Sequence, residues 1–131
     1  MIGGPLDMLM LALAGGLGAT CRYALDRALT RRRDAGPIGI FAVNVLASIL
    51  IGLLAGIGLA GDAVDAAAGS LGPILATGLL GGFSTFSTVA VDSARLLRAR
   101  RFGWVAANTL GMLVISVTAC AAAIGIVRVL A

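Results

Sequence analysis

Apolar positions along the chain gather into four long runs, at about residues 6–25, 38–60, 70–91 and 102–129, parted by three short polar connections. Each run is near the roughly 20 residues needed to cross a hydrocarbon core of about 30 Å. Charges gather at the ends of the first run, where Asp7 stands on one side and Arg22, Asp26 and Arg27 on the other. The second run begins just after Gly36-Pro37 and holds only Asn44 and Ser48 as polar side chains. The pattern predicts an all-α integral membrane protein, with four transmembrane helices forming one domain over residues 1–131.

Composition agrees. Of 131 residues 60% are hydrophobic and 12% charged, whereas a soluble domain is nearer half and a quarter. Ten basic residues, all arginine, stand against six acidic ones, all aspartate, and histidine is absent. The arginines lie between the apolar runs, so they read as membrane-flanking anchors rather than a nucleic-acid surface, which needs a soluble basic face. Arg27, Arg31, Arg32 and Arg33 fall in the first connection and Arg95, Arg98, Arg100 and Arg101 in the third. In a four-pass protein these two connections share a face, and the other face has only Arg128, with Asp62 and Asp65 in the middle loop. The positive-inside rule then places both arginine loops in the cytoplasm and both termini outside.

Ala12-Leu13-Ala14 imitates a signal cleavage site, but the residues before it lack the positive charge such signals carry, so the segment reads as mature protein. Cys21 and Cys120 have no CxxC spacing and no histidine beside them. They are expected to be small core-filling thiols.

The polar residues inside the runs carry the chemistry. Gly52 and Gly56 form a GxxxG that admits a close neighbouring backbone. Hydroxyls at Ser84, Thr85, Ser87, Thr88, Ser116 and Thr118 can bond back to their own helix carbonyls. An asparagine amide, with two donors and two acceptors, cannot be satisfied that way, so Asn44 needs partners from another helix or a permeating species. The passage LLGGFSTFSTVA, residues 79–90, sets paired glycines and hydroxyls in an apolar run, although each backbone group freed in hydrocarbon costs several kcal/mol unless satisfied. No aspartate lies centrally in a run and glutamate is absent, against a proton-coupled exporter of cations, which would carry a mid-membrane carboxylate. Hydrolytic and redox catalysis lack a histidine base, so the chain reads as no enzyme. Amide donors, hydroxyls and aromatic edges, whose rims carry the positive part of the ring quadrupole, suit a small anion. A small multidrug or metabolite transporter and a non-transporting scaffold stand as alternatives.

These residues resemble the Fluc (CrcB) fluoride channels. Residues 15–23, GGLGATCRY, are similar to that family's GGxxGAxxRY, Val43-Asn44 to the VN of its second helix, and residues 78–89, GLLGGFSTFSTV, to its GxxGGFTTFSTF. The likeness covers three of the four helices in order. It implies passive fluoride export across the bacterial inner membrane by a dimer of subunits in opposite orientations, with the third helix broken near its middle. It also implies a structural Na⁺ at the dimer centre, held by the backbone carbonyls that match Gly81 and Ser84. By the same likeness Asn44 donates to fluoride, Phe86 is the first of two pore phenylalanines, and Arg22 shapes an aqueous vestibule or snorkels as an anchor. Ser116 is the candidate hydroxyl of the fourth helix, and it can exchange roles with Thr118.

Departures from the pattern are informative. Val89 stands where the family has its second pore phenylalanine, Ser84 replaces a threonine, and in helix two Ile40, Ala47 and Ile49 replace threonine, glycine and phenylalanine. A homodimer needs subunits that insert both ways, and this chain has a strong arginine bias. The expected partners are therefore fluoride, membrane lipid and a second, oppositely inserted subunit, a heterodimer being favoured over a homodimer. Nucleic acid is not among them.

Overall fold

The computed structural model describes residues 4–30, 37–60, 72 and 74–130, with backbone only at 58–60. Four helices are long and apolar enough to span a membrane: α1 (Pro5–Leu29), α2 (Ile38–Ala60), α3 (Ile74–Arg98) and α4 (Phe102–Leu130). Among the described residues there is no strand. Arg31 to Arg33, Asp62 and Asp65, on which the charge asymmetry partly rests, and the start of the third run at Ser70 lie outside the described residues.

Pro5 opens α1, where its missing N–H costs nothing, and the Asp7 carboxylate accepts from the Gly4 backbone N–H at 3.3 Å. At its other end α1 runs four residues beyond the apolar stretch, to Leu29, where Thr30 turns back to bond the Asp26 carbonyl. Backbone bonding does not stop where hydrophobicity does. For the same reason α3 continues past Val91 into the polar sequence Asp92–Arg98, on which Asp92 and Arg95 pair at 3.4 Å.

Helices in lipid gain no hydrophobic drive from meeting one another and rely on close packing of small residues. Two contacts show it. A Cβ on Gly18 of α1 would overlap the Leu79 carbonyl oxygen and sit 2.9 Å from the Phe83 nitrogen, and one on Gly82 of α3 would overlap the Gly15 carbonyl oxygen. Helices α1 and α3 thus touch backbone to backbone. On the opposite side a Cβ on Gly52 would lie 2.5 Å from the Cys120 carbonyl oxygen and one on Gly56 2.8 Å from Val127 Cβ, so the GxxxG face seats α2 against α4. A small core of Val43, Ala47 and Phe83 lies between α2 and α3, flanked by Leu25. Leucines, valines and isoleucines exposed around the outside form the surface offered to lipid.

Cys21 differs from expectation. It is exposed, and Cys120 is half-buried. Only Gly18 of α1 is fully buried, and Cys21, one turn further along the same face, borders an open apolar groove with Leu46, Leu79 and Phe83 instead of a closed core. At the far end Arg101 lies over the Trp104 ring, 5.6 Å from its centroid, an aromatic and cationic pair of the kind that anchors a span at the headgroup level.

Candidate functional site

Helix α3 bends by 23°, and the bend has a local cause. Its first part is wound as a π-helix over Ile74–Leu80, tightens to α over Gly81–Phe83, opens, and resumes as α over Ser87–Arg98. Ser84 at the opening is extended, with φ −76° and ψ 157°. In an uninterrupted α-helix the Thr85 N–H would donate to the Gly81 carbonyl. Here it donates to Asn44 Oδ1 at 2.9 Å, while Asn44 Nδ2 donates to the Thr85 carbonyl at 2.9 Å. One amide side chain from α2 thus pairs both backbone groups of one residue in the break. The Gly81 carbonyl loses its usual donor.

Asn44 is 8% exposed, and its remaining amide hydrogen points to Met112 Sδ of α4, 3.3 Å away. The expectation that this residue needs partners from another helix is met by two of them. Beside it opens a groove of about 620 Å³ between α2, α3 and α4, bordered by Asn44, Ser48, Gly81, Ser84, Phe86, Val89, Met112 and Ser116, among others. Among the described residues no charged side chain borders it.

Phe86 and Val89 take opposite places. The Phe86 ring is 79% exposed at the edge of the groove, whereas Val89 is 1% exposed and packed inside the protomer. Ser116 faces the groove with its hydroxyl buried and without a partner among the described residues. That is unusual on a helix. Thr20, Thr109 and Thr118 all return their hydroxyls to a carbonyl one turn back, at 2.8–2.9 Å. Thr118 is exposed on α4 and does not border the groove. Nor does Arg22, which is half-buried on α1 with its Nε buried and unpartnered among the described residues. The structure therefore gathers Asn44, Phe86, Val89, Ser116, Gly81 and Ser84 around one space and leaves Thr118 and Arg22 outside it.

Sequence reasoning missed Asn108. It sits in a π-helical turn of α4, Ala107–Gly111, and is 1% exposed. Its Nδ2 donates to the Val89 carbonyl at 3.3 Å and to Ser93 Oγ at 2.9 Å. π-turns often mark functional positions, and this one turns an amide onto the helix that follows the break. Asn108 fastens the lower half of α3 to α4 as Asn44 fastens the break to α2. An amide inside an apolar run is the signal that singles out Asn44, and it was available for Asn108 too. We expect Asn108→Leu to destabilise the protein by about 1 kcal/mol, the usual worth of a polar contact between membrane helices. The shift in a denaturant titration in micelles measures it, and an unchanged midpoint would show that the two contacts carry no weight.

A family model described as "CrcB-like protein, Camphor Resistance (CrcB)" matches residues 9–126. A protein named "Fluoride-specific ion channel FluC 3" from Bifidobacterium longum (strain NCC 2705) is 39% identical over 114 residues, covering 86% of this chain and 91% of its own length. "Fluoride-specific ion channel FluC 2" from Nitrobacter hamburgensis (strain DSM 10229 / NCIMB 13809 / X14) is 34% identical over 125 residues, 94% of this chain and 98% of that protein. A third, "Fluoride-specific ion channel FluC 1" from Leifsonia xyli subsp. xyli (strain CTCB07), is 35% identical over 116 residues. The matched segment reaches into all four spans and takes in the break and the groove, and on it the chain belongs to the CrcB-like family.

Proposed function

We propose that this chain is a fluoride channel subunit, passing fluoride down its gradient out of the cytoplasm across the bacterial inner membrane and so limiting its toxicity. The observation that carries the reading is the groove's lining: an amide, free and helix-bonded hydroxyls and an exposed aromatic rim converge there, with no carboxylate among the described residues. Such a lining replaces the water around a small anion with neutral donors. A fixed cation would bind the anion and hold it. Nothing in the groove serves the transporter or scaffold alternatives, since proton coupling wants a carboxylate within the span and a scaffold has no use for an unpaired buried hydroxyl.

The working unit in this reading is a dimer whose two subunits insert oppositely, with Phe86 of each at the rim of a shared path. The residues fit a structural Na⁺ at its centre. Gly81 and Ser84 both border the groove, the Gly81 carbonyl has been freed by the Asn44 contact, and a Cβ on Gly81 would meet nothing within 4 Å, leaving room for a partner's backbone. Carbonyl oxygens are the ligands a hard monovalent cation takes. Bound there, the ion would neutralise the exposed dipoles of the break. The arginine bias favours a single orientation, and the second subunit is in this reading a distinct, oppositely biased chain.

Liposomes loaded with potassium fluoride, with valinomycin to release the voltage, test both levels on a fluoride electrode. Efflux is expected when this chain is reconstituted with an oppositely biased relative, and little from this chain alone. Robust efflux from the chain by itself would sink the obligate pair, and silence from every folded combination would sink the channel.

A further inference from the structure

The Asn44 amide has one donor on the Thr85 carbonyl and one on a sulfur. The first holds the break in place. The second is spent on Met112 Sδ at 3.3 Å, and a thioether is among the weakest acceptors a protein has. Both residues border the groove, as does Ser116, which lies one turn beyond Met112 on the same face of α4 with its hydroxyl unpartnered among the described residues. A small anion entering here meets the unpartnered Ser116 hydroxyl and a donor that it must take from sulfur.

We propose that Met112 is a positioning residue of the ion path: its thioether holds the Asn44 amide hydrogen while the site is vacant and yields it to the anion, so that Met112 sets the fluoride concentration at which the site fills. This rests on the reading of the groove as the fluoride path. The chemistry suits the task. A soft, polarisable sulfur on a flexible side chain aims the amide without gripping it and swings aside cheaply. With no acceptor the amide would be left unpaired in a low-dielectric space, and with a strong one the anion would have to compete against an oxygen.

The test varies acceptor strength at one atom. Met112→Leu keeps the volume and removes the acceptor, so the half-saturating fluoride concentration is expected to fall about threefold, the worth of one weak hydrogen bond, with the limiting flux little changed. Peroxide does the reverse on the native protein. The sulfur lone pair attacks a peroxide oxygen, the O–O bond breaks, water leaves, and the sulfoxide oxygen is a strong acceptor with no donor of its own. Half-saturation is then expected to rise about tenfold. Peroxide must leave the Met112→Leu channel unaltered, since Met1, Met8, Met10 and both cysteines remain in it.

A purely structural Met112 would move stability or limiting flux and leave half-saturation alone, and that result, or a shift of both forms in the same direction, would overturn the proposal. A native channel that conducts but ignores Met112 sinks this inference and spares the pathway. A native protein that never conducts sinks the pathway and this inference with it.

Discussion

Asn44→Ala should reduce fluoride efflux about a hundredfold in any preparation where the native chain conducts. The loss has two sources that act together. The substitution deletes the donor offered to the ion, and it also unpairs the Thr85 N–H and carbonyl, each bonded to Asn44 at 2.9 Å. Leaving a buried polar group unsatisfied costs about 1–3 kcal/mol, and two such groups at about 1.4 kcal/mol each already amount to a hundredfold. Asn44→Asp separates the two sources. Its carboxylate still accepts from Thr85 N–H, but it offers no donor, faces the Thr85 carbonyl and repels the anion. Folded but silent protein is expected from Asn44→Asp, and less stable, silent protein from Asn44→Ala, with efflux and thermal unfolding measured on the same samples. Native flux through Asn44→Ala would remove the amide from the pathway altogether.

The second large effect concerns assembly. Gly18→Val should yield little or no monodisperse protein, because its side chain enters the space occupied by the Leu79 carbonyl oxygen and the Phe83 nitrogen. Both obstacles are backbone. They cannot rotate away as a side chain would, so α1 must separate from α3, forfeiting the matching approach of Gly15 to Gly82. Overpacking of this kind costs about 1–3 kcal/mol where the surroundings can give, and more is expected here. Gly16→Val, two residues earlier with nothing within 4 Å of its Cβ, is the control and should run normally on size exclusion. Equal yields from the two variants would mean that the helix pair is looser than its glycines imply.

How far these features were legible in the sequence depended on whether a side chain or the backbone carried them. Four spans were readable because crossing a bilayer demands apolar length, which composition shows directly. Asn44 announced itself as an amide with nothing local to satisfy it. Its chief partner did not, because the Thr85 contacts are made by the peptide group that every residue shares. Ser116 drew notice as a hydroxyl among several, but only coordinates distinguish it from Thr118, whose oxygen returns to Val114 at 2.8 Å. Asn108 carries the same amide signal as Asn44, but it stands near the polar end of its run, and no residue spacing marks the π-turn in which it sits. Cys21 was misplaced because hydrophobic neighbours in a lipid-facing helix say nothing about which side is the inside.

The clasp between Asn44 and Thr85 also constrains the order in which the chain is built. Its two ends are 41 positions apart on different spans. Until α3 packs on α2 no amide receives its Thr85 N–H and carbonyl, and an open helix in lipid would strand them. The segment must therefore enter as an ordinary continuous helix and open only once α2 lies against it. The break is a product of helix docking, and its appearance would date the moment at which the subunit has acquired its tertiary structure.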